Sequence, residues 1–121
     1  MKLIFVYNAD SGKVNALWDS AHKLFSPKNY DCNLCALTFG TFSEKKIWKQ
    51  FRKSVDAEMI FLHRDEFQKQ YKSKWLPRFQ FPVILISNEN NLEVFISSEE
   101  LNDLKSPESL IELIKQKLSH Y

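Results

Sequence analysis

The chain has 121 residues, 44% of them hydrophobic, and a formal net charge of +2. This length and composition predict a single domain over residues 1–121, whose core needs neither disulfides nor metals as cross-links. The opening apolar run is too short for a signal peptide, and no run approaches the roughly 20 residues of a membrane helix. We therefore expect a cytoplasmic protein without a membrane partner, in which disulfides are uncommon.

The first unit is predicted to be a strand followed by a helix. Residues 3–7 are β-branched and aromatic, and the turn-forming and capping residues of 8–12 follow them. Apolar residues then recur at helical spacing until Ser26 and Pro27 end the pattern. The residues of that stripe are Val14, Leu17, Trp18, Ala21 and Phe25.

The second unit is predicted to be a buried strand and an amphipathic helix. Residues 34–39 form a nearly continuous apolar run, which is typical of a strand covered on both faces. Ser43 is positioned to cap the next helix, where Trp48 and Phe51 belong to the buried stripe. We interpret the basic residues of 45–53 as the solvated face of that helix, and nucleic acid is not expected as a partner.

The remaining pattern predicts a third strand over 59–62, a short helix capped by Asp65, and a hairpin formed by 83–86 and 92–96. Ser106 and Pro107 mark the start of a closing amphipathic helix. The order is βαβαβα and then ββα, which predicts an α/β fold with a mixed sheet and a C-terminal antiparallel hairpin.

This element order resembles that of the thioredoxin-like superfamily, and the run Phe81-Pro82-Val83-Ile84-Leu85 is similar to the junction that carries a cis proline in that family. The resemblance implies a three-layer sandwich, a cis peptide bond before Pro82 and a ligand cleft beside it. In that family a redox Cys-x-x-Cys follows the central strand, a position that corresponds to residues 40–43 here and holds no cysteine.

Three runs also resemble those of a group of small bacterial proteins. They are residues 5–12, residues 32–38 with the sequence Cys-Asn-Leu-Cys-Ala-Leu-Thr, and residues 61–67. This resemblance implies a bacterial, cytoplasmic protein and no particular mechanism.

Cys32 and Cys35 are the two cysteines of the chain. In an extended segment their Cα atoms would lie about 10 Å apart with side chains on opposite faces, whereas a disulfide requires less than about 7 Å. Because we assign the pair to the start of a strand, away from any helix N-terminus, we expect buried, reduced and slowly reacting thiols.

Metal binding is an alternative for the same two residues. Cys-x-x-Cys is a common half of a zinc site, and His22 is predicted to lie at the same end of the sheet. His63 is predicted to lie at the opposite end. We predict no cofactor, and zinc is the metal that Cys32, Cys35 and His22 would suit.

A cleft is predicted where the strands end, because ligands of α/β sheets bind at the carboxyl ends of the strands. We infer a non-enzymatic module that binds a protein or small ligand there, with a thiol oxidoreductase using Cys32 and Cys35 as the alternative. Whether the chain is an enzyme, and its oligomeric state, stay open. The predicted cleft residues are Asn8, Asp10, Ser11, Thr38, Ser43, His63, Arg64, Asp65 and Pro82.

Overall fold

The computed structural model describes residues 1–9, 32–40, 43–71, 79–88 and 91–121. The predicted first helix and Trp18 lie outside these residues. The strands are β1 (Lys2–Tyr7), β2 (Glu58–His63), β3 (Val83–Asn88) and β4 (Asn91–Ile96). The helices are α1 (Asn33–Thr38), α2 (Lys46–Ser54), α3 (Arg64–Gln70), α4 (Ser98–Asp103) and α5 (Pro107–Leu118).

The described strands form one mixed sheet in the order β2-β1-β3-β4. β1 pairs in parallel with β2, whereas β3 runs antiparallel to both β1 and β4. The predicted antiparallel hairpin of β3 and β4 is therefore confirmed, and so is the α/β class with a mixed sheet.

β1 is buried on both faces, which explains its continuous apolar sequence. Alternate side chains enter two separate cores, one on each face of the sheet, and helices cover both. The cysteine-side core includes Leu3, Phe5, Tyr7, Cys32, Leu34, Cys35, Leu37, Trp48, Phe51, Ile84, Ile86, Phe95, Ile96, Leu101, Leu110, Ile111 and Ile114. The far-side core includes Ile4, Val6, Leu62, Phe67, Val83 and Leu85.

The prediction of a strand over residues 34–39 is wrong, because most of that run is helix α1. In a short and continuous apolar run, the hydrophobic pattern does not distinguish a buried strand from a helix that is buried over most of its surface. In the structure Leu34, Leu37 and Thr38 are buried while Ala36 is exposed, which is the spacing of a helix. Alanine and leucine also have high helix propensity.

α2 packs on the cysteine side of the sheet. Trp48 and Phe51 are buried, as predicted. The Trp48 ring meets Phe5 edge-on at 5.5 Å between centroids and Phe61 at 6.4 Å. Within the described part of the chain, its indole Nε1 is buried without a hydrogen-bond partner. Trp48 therefore stabilises the core by burying its apolar surface, and the unpaired indole N–H reduces this free-energy gain.

α5 begins as predicted, with the Ser106 side chain as cap and Pro107 in the first turn. α4 was missed by the sequence analysis. Its signal is a capping box, in which the Ser97 hydroxyl accepts from the Glu100 backbone N–H and the Glu100 carboxylate accepts from the Ser97 backbone N–H. The helix is only six residues long, so its pattern of buried residues is too short to stand out.

We expect Trp48→Ala to lower the free energy of unfolding by about 3–5 kcal/mol, because it removes a fully buried aromatic side chain. Trp48→Phe should cost clearly less, since it keeps an aromatic ring and removes the unpaired indole N–H. Urea denaturation of both variants measures the difference. A loss well under 1 kcal/mol for Trp48→Ala would contradict the packing described above.

Candidate functional site

The Cys32–Cys35 pair forms a disulfide at the start of α1, with the two Cα atoms 5.3 Å apart. Cys32 is the N-cap residue and Cys35 lies in the first turn of the helix. The expectation of an extended segment with thiols on opposite faces and a Cα separation of about 10 Å is therefore wrong. A helical turn brings residues i and i+3 to the same side, which an extended chain does not.

Two backbone N–H groups donate hydrogen bonds to the Cys32 sulfur. One belongs to Cys35, at 3.3 Å, and the other to Asn8, at 3.4 Å. Both cysteines are buried, with 1% of Cys32 and 6% of Cys35 exposed. The sulfur of Cys32 is thus held against the end of β1 by donors that favour negative charge on it.

The pair lies at the carboxyl end of β1, because the Asn8 N–H that contacts Cys32 directly follows that strand. Tyr7 pairs with His63 at the end of β2. The expectation that the cysteines and His63 occupy opposite ends of the sheet is therefore wrong. It depended on assigning the cysteines to the start of a strand, whereas they follow β1 in space.

Pro82 belongs to the same end of the sheet. Val83, the residue after Pro82, pairs with Val6 near the carboxyl end of β1. The Phe81–Pro82 peptide bond is cis, as predicted. Cys32 and Pro82 therefore flank the same strand end.

Several of the predicted cleft residues meet at this edge. The Arg64 side chain donates to Asn8 Oδ1 at 3.2 Å, and the Arg64 backbone N–H donates to the Ala9 carbonyl at 3.0 Å. Asp65 is half-buried in the first turn of α3. The predicted cap of that helix was Asp65, but its N-cap is His63, which forms a capping box with Glu66.

The pKa of Glu66 is lowered from its ordinary value of 4.5. The main cause is the hydrogen bond that its carboxylate accepts from the His63 backbone N–H, at 2.8 Å. Partial burial opposes this effect, while the contact with the His63 ring adds to it. Glu66 was not among the predicted site residues, although a glutamate in the first turn of a helix is a known capping signal.

Thr38 and Ser43 do not join this group. The Thr38 hydroxyl donates to the Leu34 carbonyl at 2.8 Å and is fully buried. Ser43 is exposed, and its carbonyl accepts a hydrogen bond from the Gly40 backbone N–H. Ser43 does not cap α2, whose N-cap is Lys45. Asp10, Ser11 and His22 lie outside the described residues.

A shallow groove of about 200 Å³ opens beside Pro82 at the same edge. Val83 and Val94 belong to the far face of the sheet, because Val94 pairs with Leu85 of the far-side core. The groove therefore lies on the face opposite the cysteines. It is lined by none of the predicted cleft residues, and its lining was missed by the sequence analysis. The lining residues are Phe79, Gln80, Val83, Val94, Ser97, Ser98 and Glu99.

Among the described residues, no three His, Cys, Asp or Glu side chains are grouped closely enough to hold a metal ion. His22, the third predicted ligand, lies outside the described residues. A zinc site of Cys32, Cys35 and His22 would require the reduced pair, since metal ligation needs thiolates. It stays a prediction.

None of the helices in the described part of the chain has the length and apolar character that a bilayer crossing requires. Comparison with protein-family models, curated proteins and solved structures finds no match for this chain. The arguments for function therefore depend on the site itself.

We expect the Glu66 carboxylate to make stability depend on pH in the acid range. Because its native pKa lies below 4.5, the stabilisation is fully present above about pH 4.5 and is lost as the pH falls through the native pKa. Urea denaturation of wild type and Glu66→Gln from pH 7 to 3 should show a difference that shrinks below pH 4.5. Glu112→Gln, an exposed carboxyl on α5, is the control. A Glu66→Gln difference that stays constant to pH 3 would contradict the shift.

Proposed function

We propose that Cys32 and Cys35 form a redox-active dithiol–disulfide couple and that the protein exchanges electrons with other thiols. The observation that carries this proposal is the paired cysteines at the strand end, with two backbone N–H donors aimed at the sulfur of Cys32. Both reasons for expecting inert thiols, an extended pair and a location away from any helix start, are absent from the structure.

The two cysteines have different roles in the proposed reaction. In the reducing direction, the Cys32 thiolate attacks a substrate disulfide, and one substrate sulfur leaves as a thiolate that takes up a proton. Cys35 then gives up its proton and attacks Cys32 in the mixed disulfide, releasing the second substrate thiol. The substrate gains two electrons and two protons, while the protein gains the Sγ–Sγ bond. Cys32 is the nucleophile because both N–H donors, from Asn8 and from the Cys35 backbone, are directed at its sulfur and stabilise its thiolate.

The resemblance to the thioredoxin-like superfamily is part of this proposal. It is supported by the sheet order β2-β1-β3-β4, by the cysteine pair at the end of β1 and by the position of Pro82 immediately before β3. A bacterial and cytoplasmic origin is proposed with it. In a reducing compartment a disulfide of this kind would be cycled rather than serve as a permanent cross-link.

Burial of both cysteines limits the reaction partners. With 1% and 6% of the two residues exposed, an incoming thiol must displace neighbouring groups before it reaches either sulfur. We therefore expect small thiols to react slowly, and a protein substrate that opens the site to react faster.

Equilibration of the native protein with mixtures of reduced and oxidised glutathione tests the proposal. We expect a reversible change between disulfide and dithiol, counted by alkylation and mass measurement. Cys35→Ser should accumulate a mixed disulfide on Cys32, whereas Cys32→Ser should form little mixed disulfide under the same conditions.

Two outcomes would contradict the redox proposal. One is a native disulfide that stays oxidised across all glutathione mixtures and opens only in denaturant. The other is equal mixed-disulfide formation by both single variants, which would remove the assigned difference between Cys32 and Cys35.

Ligand binding without redox chemistry is the second candidate, and the groove beside Pro82 favours it. Phe79, Val83 and Val94 give it apolar walls, with serine hydroxyls and a glutamate at its rim. Val94 is 47% exposed, so its apolar side chain is accessible to a ligand in the groove. An extended peptide with one apolar side chain would fit this chemistry.

We expect Val94→Glu to reduce the fluorescence enhancement of anilinonaphthalene sulfonate, a dye that reports accessible apolar surface, when it is added to the folded protein. The charge would disrupt the apolar wall of the groove. Ile47→Glu is the matched control, because Ile47 is similarly exposed on α2 and does not line the groove. Equal effects of the two substitutions would show that the groove is not a preferred apolar site.

A further inference from the structure

Asn33, which lies between the two cysteines, connects them to α4. Its side-chain Nδ2 donates to the Leu104 carbonyl at 3.0 Å and to the Leu101 carbonyl. These contacts join residues 71 and 68 positions apart in the sequence. The disulfide turn is thereby attached to a helix that follows the last strand.

The two carbonyls belong to the C-terminal end of α4, where backbone carbonyls lack the i+4 N–H partner of the helix interior. The Leu101 carbonyl also accepts from the Leu104 N–H, which closes the last turn. α4 has six residues and no basic residue in its last turn. A helix of this length is not stable by itself and depends on tertiary contacts. Leu101 supplies one such contact, since it is fully buried in the same core as both cysteines. The amide of Asn33 supplies the partner for the helix end.

We infer that Asn33 is a positioning residue that couples the oxidation state of Cys32 and Cys35 to the attachment of α4. This inference rests on the proposed redox function. The disulfide fixes the turn over residues 32–35, so the Asn33 amide is already held at the two carbonyls. Reduction by a thiol breaks the Sγ–Sγ bond with uptake of two electrons and two protons and gives the turn more conformational freedom.

The coupling operates in both directions. If the Asn33 hydrogen bonds are stronger in the disulfide form, they stabilise that form relative to the dithiol. By reciprocity, reduction weakens the attachment of α4 by the same free energy. α4 sits directly beside the groove, whose lining includes Ser98 and Glu99 from its first turn. A change at the cysteines is thereby transmitted to the opposite face of the sheet.

Asn33→Ala should shift the glutathione equilibrium toward the dithiol by about three- to tenfold, which corresponds to about one net hydrogen bond that is made in the disulfide form and lost in the dithiol form. Asn102→Ala is the matched control, because Asn102 is an exposed residue of α4 and should leave the equilibrium unchanged. A shift below twofold for Asn33→Ala, or an equal shift for the control, would overturn the inference.

A second readout separates coupling from a merely structural role. Asn33→Ala should lower the free energy of unfolding more in the oxidised protein than in the phosphine-reduced protein. If Asn33 only supported the fold, both forms would lose stability equally and the redox equilibrium would not move. Equal losses would therefore count against the inference.

Hydrogen exchange of the wild-type protein tests the coupling even if the variant fails to fold. The Leu104 N–H, which donates to the Leu101 carbonyl, should exchange faster after reduction, whereas the Val55 N–H at the end of α2 should not change. Unchanged exchange at Leu104 would overturn the inference. Failure of wild type to equilibrate with glutathione would instead contradict the proposed redox function, while the comparison with phosphine-reduced protein still tests Asn33.

Discussion

β1 is packed between β2 and β3, with side chains entering a different core on each face. This double burial fixes the position and register of the strand, because a slip of one residue would exchange the two sets of side chains. The position of the carboxyl end of β1 relative to β2 and β3 is consequently fixed. Its neighbours in register bring His63 and Pro82 to one edge, and the N–H that follows it contacts Cys32.

Two opposing effects act on the cysteine sulfurs. Burial disfavours a thiolate and raises the pKa of a thiol, whereas N–H donors favour the charged form. Burial is similar for both residues, while the two N–H donors described above are directed at the Cys32 sulfur. In the proposed dithiol form, these donors would favour the thiolate on Cys32, and burial would limit the access of a partner to it.

The four described strands were predictable because they have strong β-branched and apolar patterns bounded by turn residues. The additional strand predicted over residues 34–39 was wrong. α2 and α5 were predictable for the same kind of reason, since their buried residues repeat over several turns. α1 was not, because six residues give too short a pattern and the apolar run suits a strand equally well. The error moved the cysteines to the wrong end of the sheet. The prediction of slowly reacting thiols depended on that placement. The contacts of Asn33 join residues about 70 positions apart, and no local pattern encodes them.

The contact between residue 8 and Cys32 is made by the main chain of Asn8, while its side chain is engaged separately with Arg64. A backbone donor is common to all residues except proline. Position 8 can therefore vary widely in side chain during evolution or engineering without losing the donor to sulfur, and proline is the substitution that removes it. The electrostatic environment of the sulfur is encoded by the path of the chain, so it is robust to mutation in a way that a side-chain donor would not be.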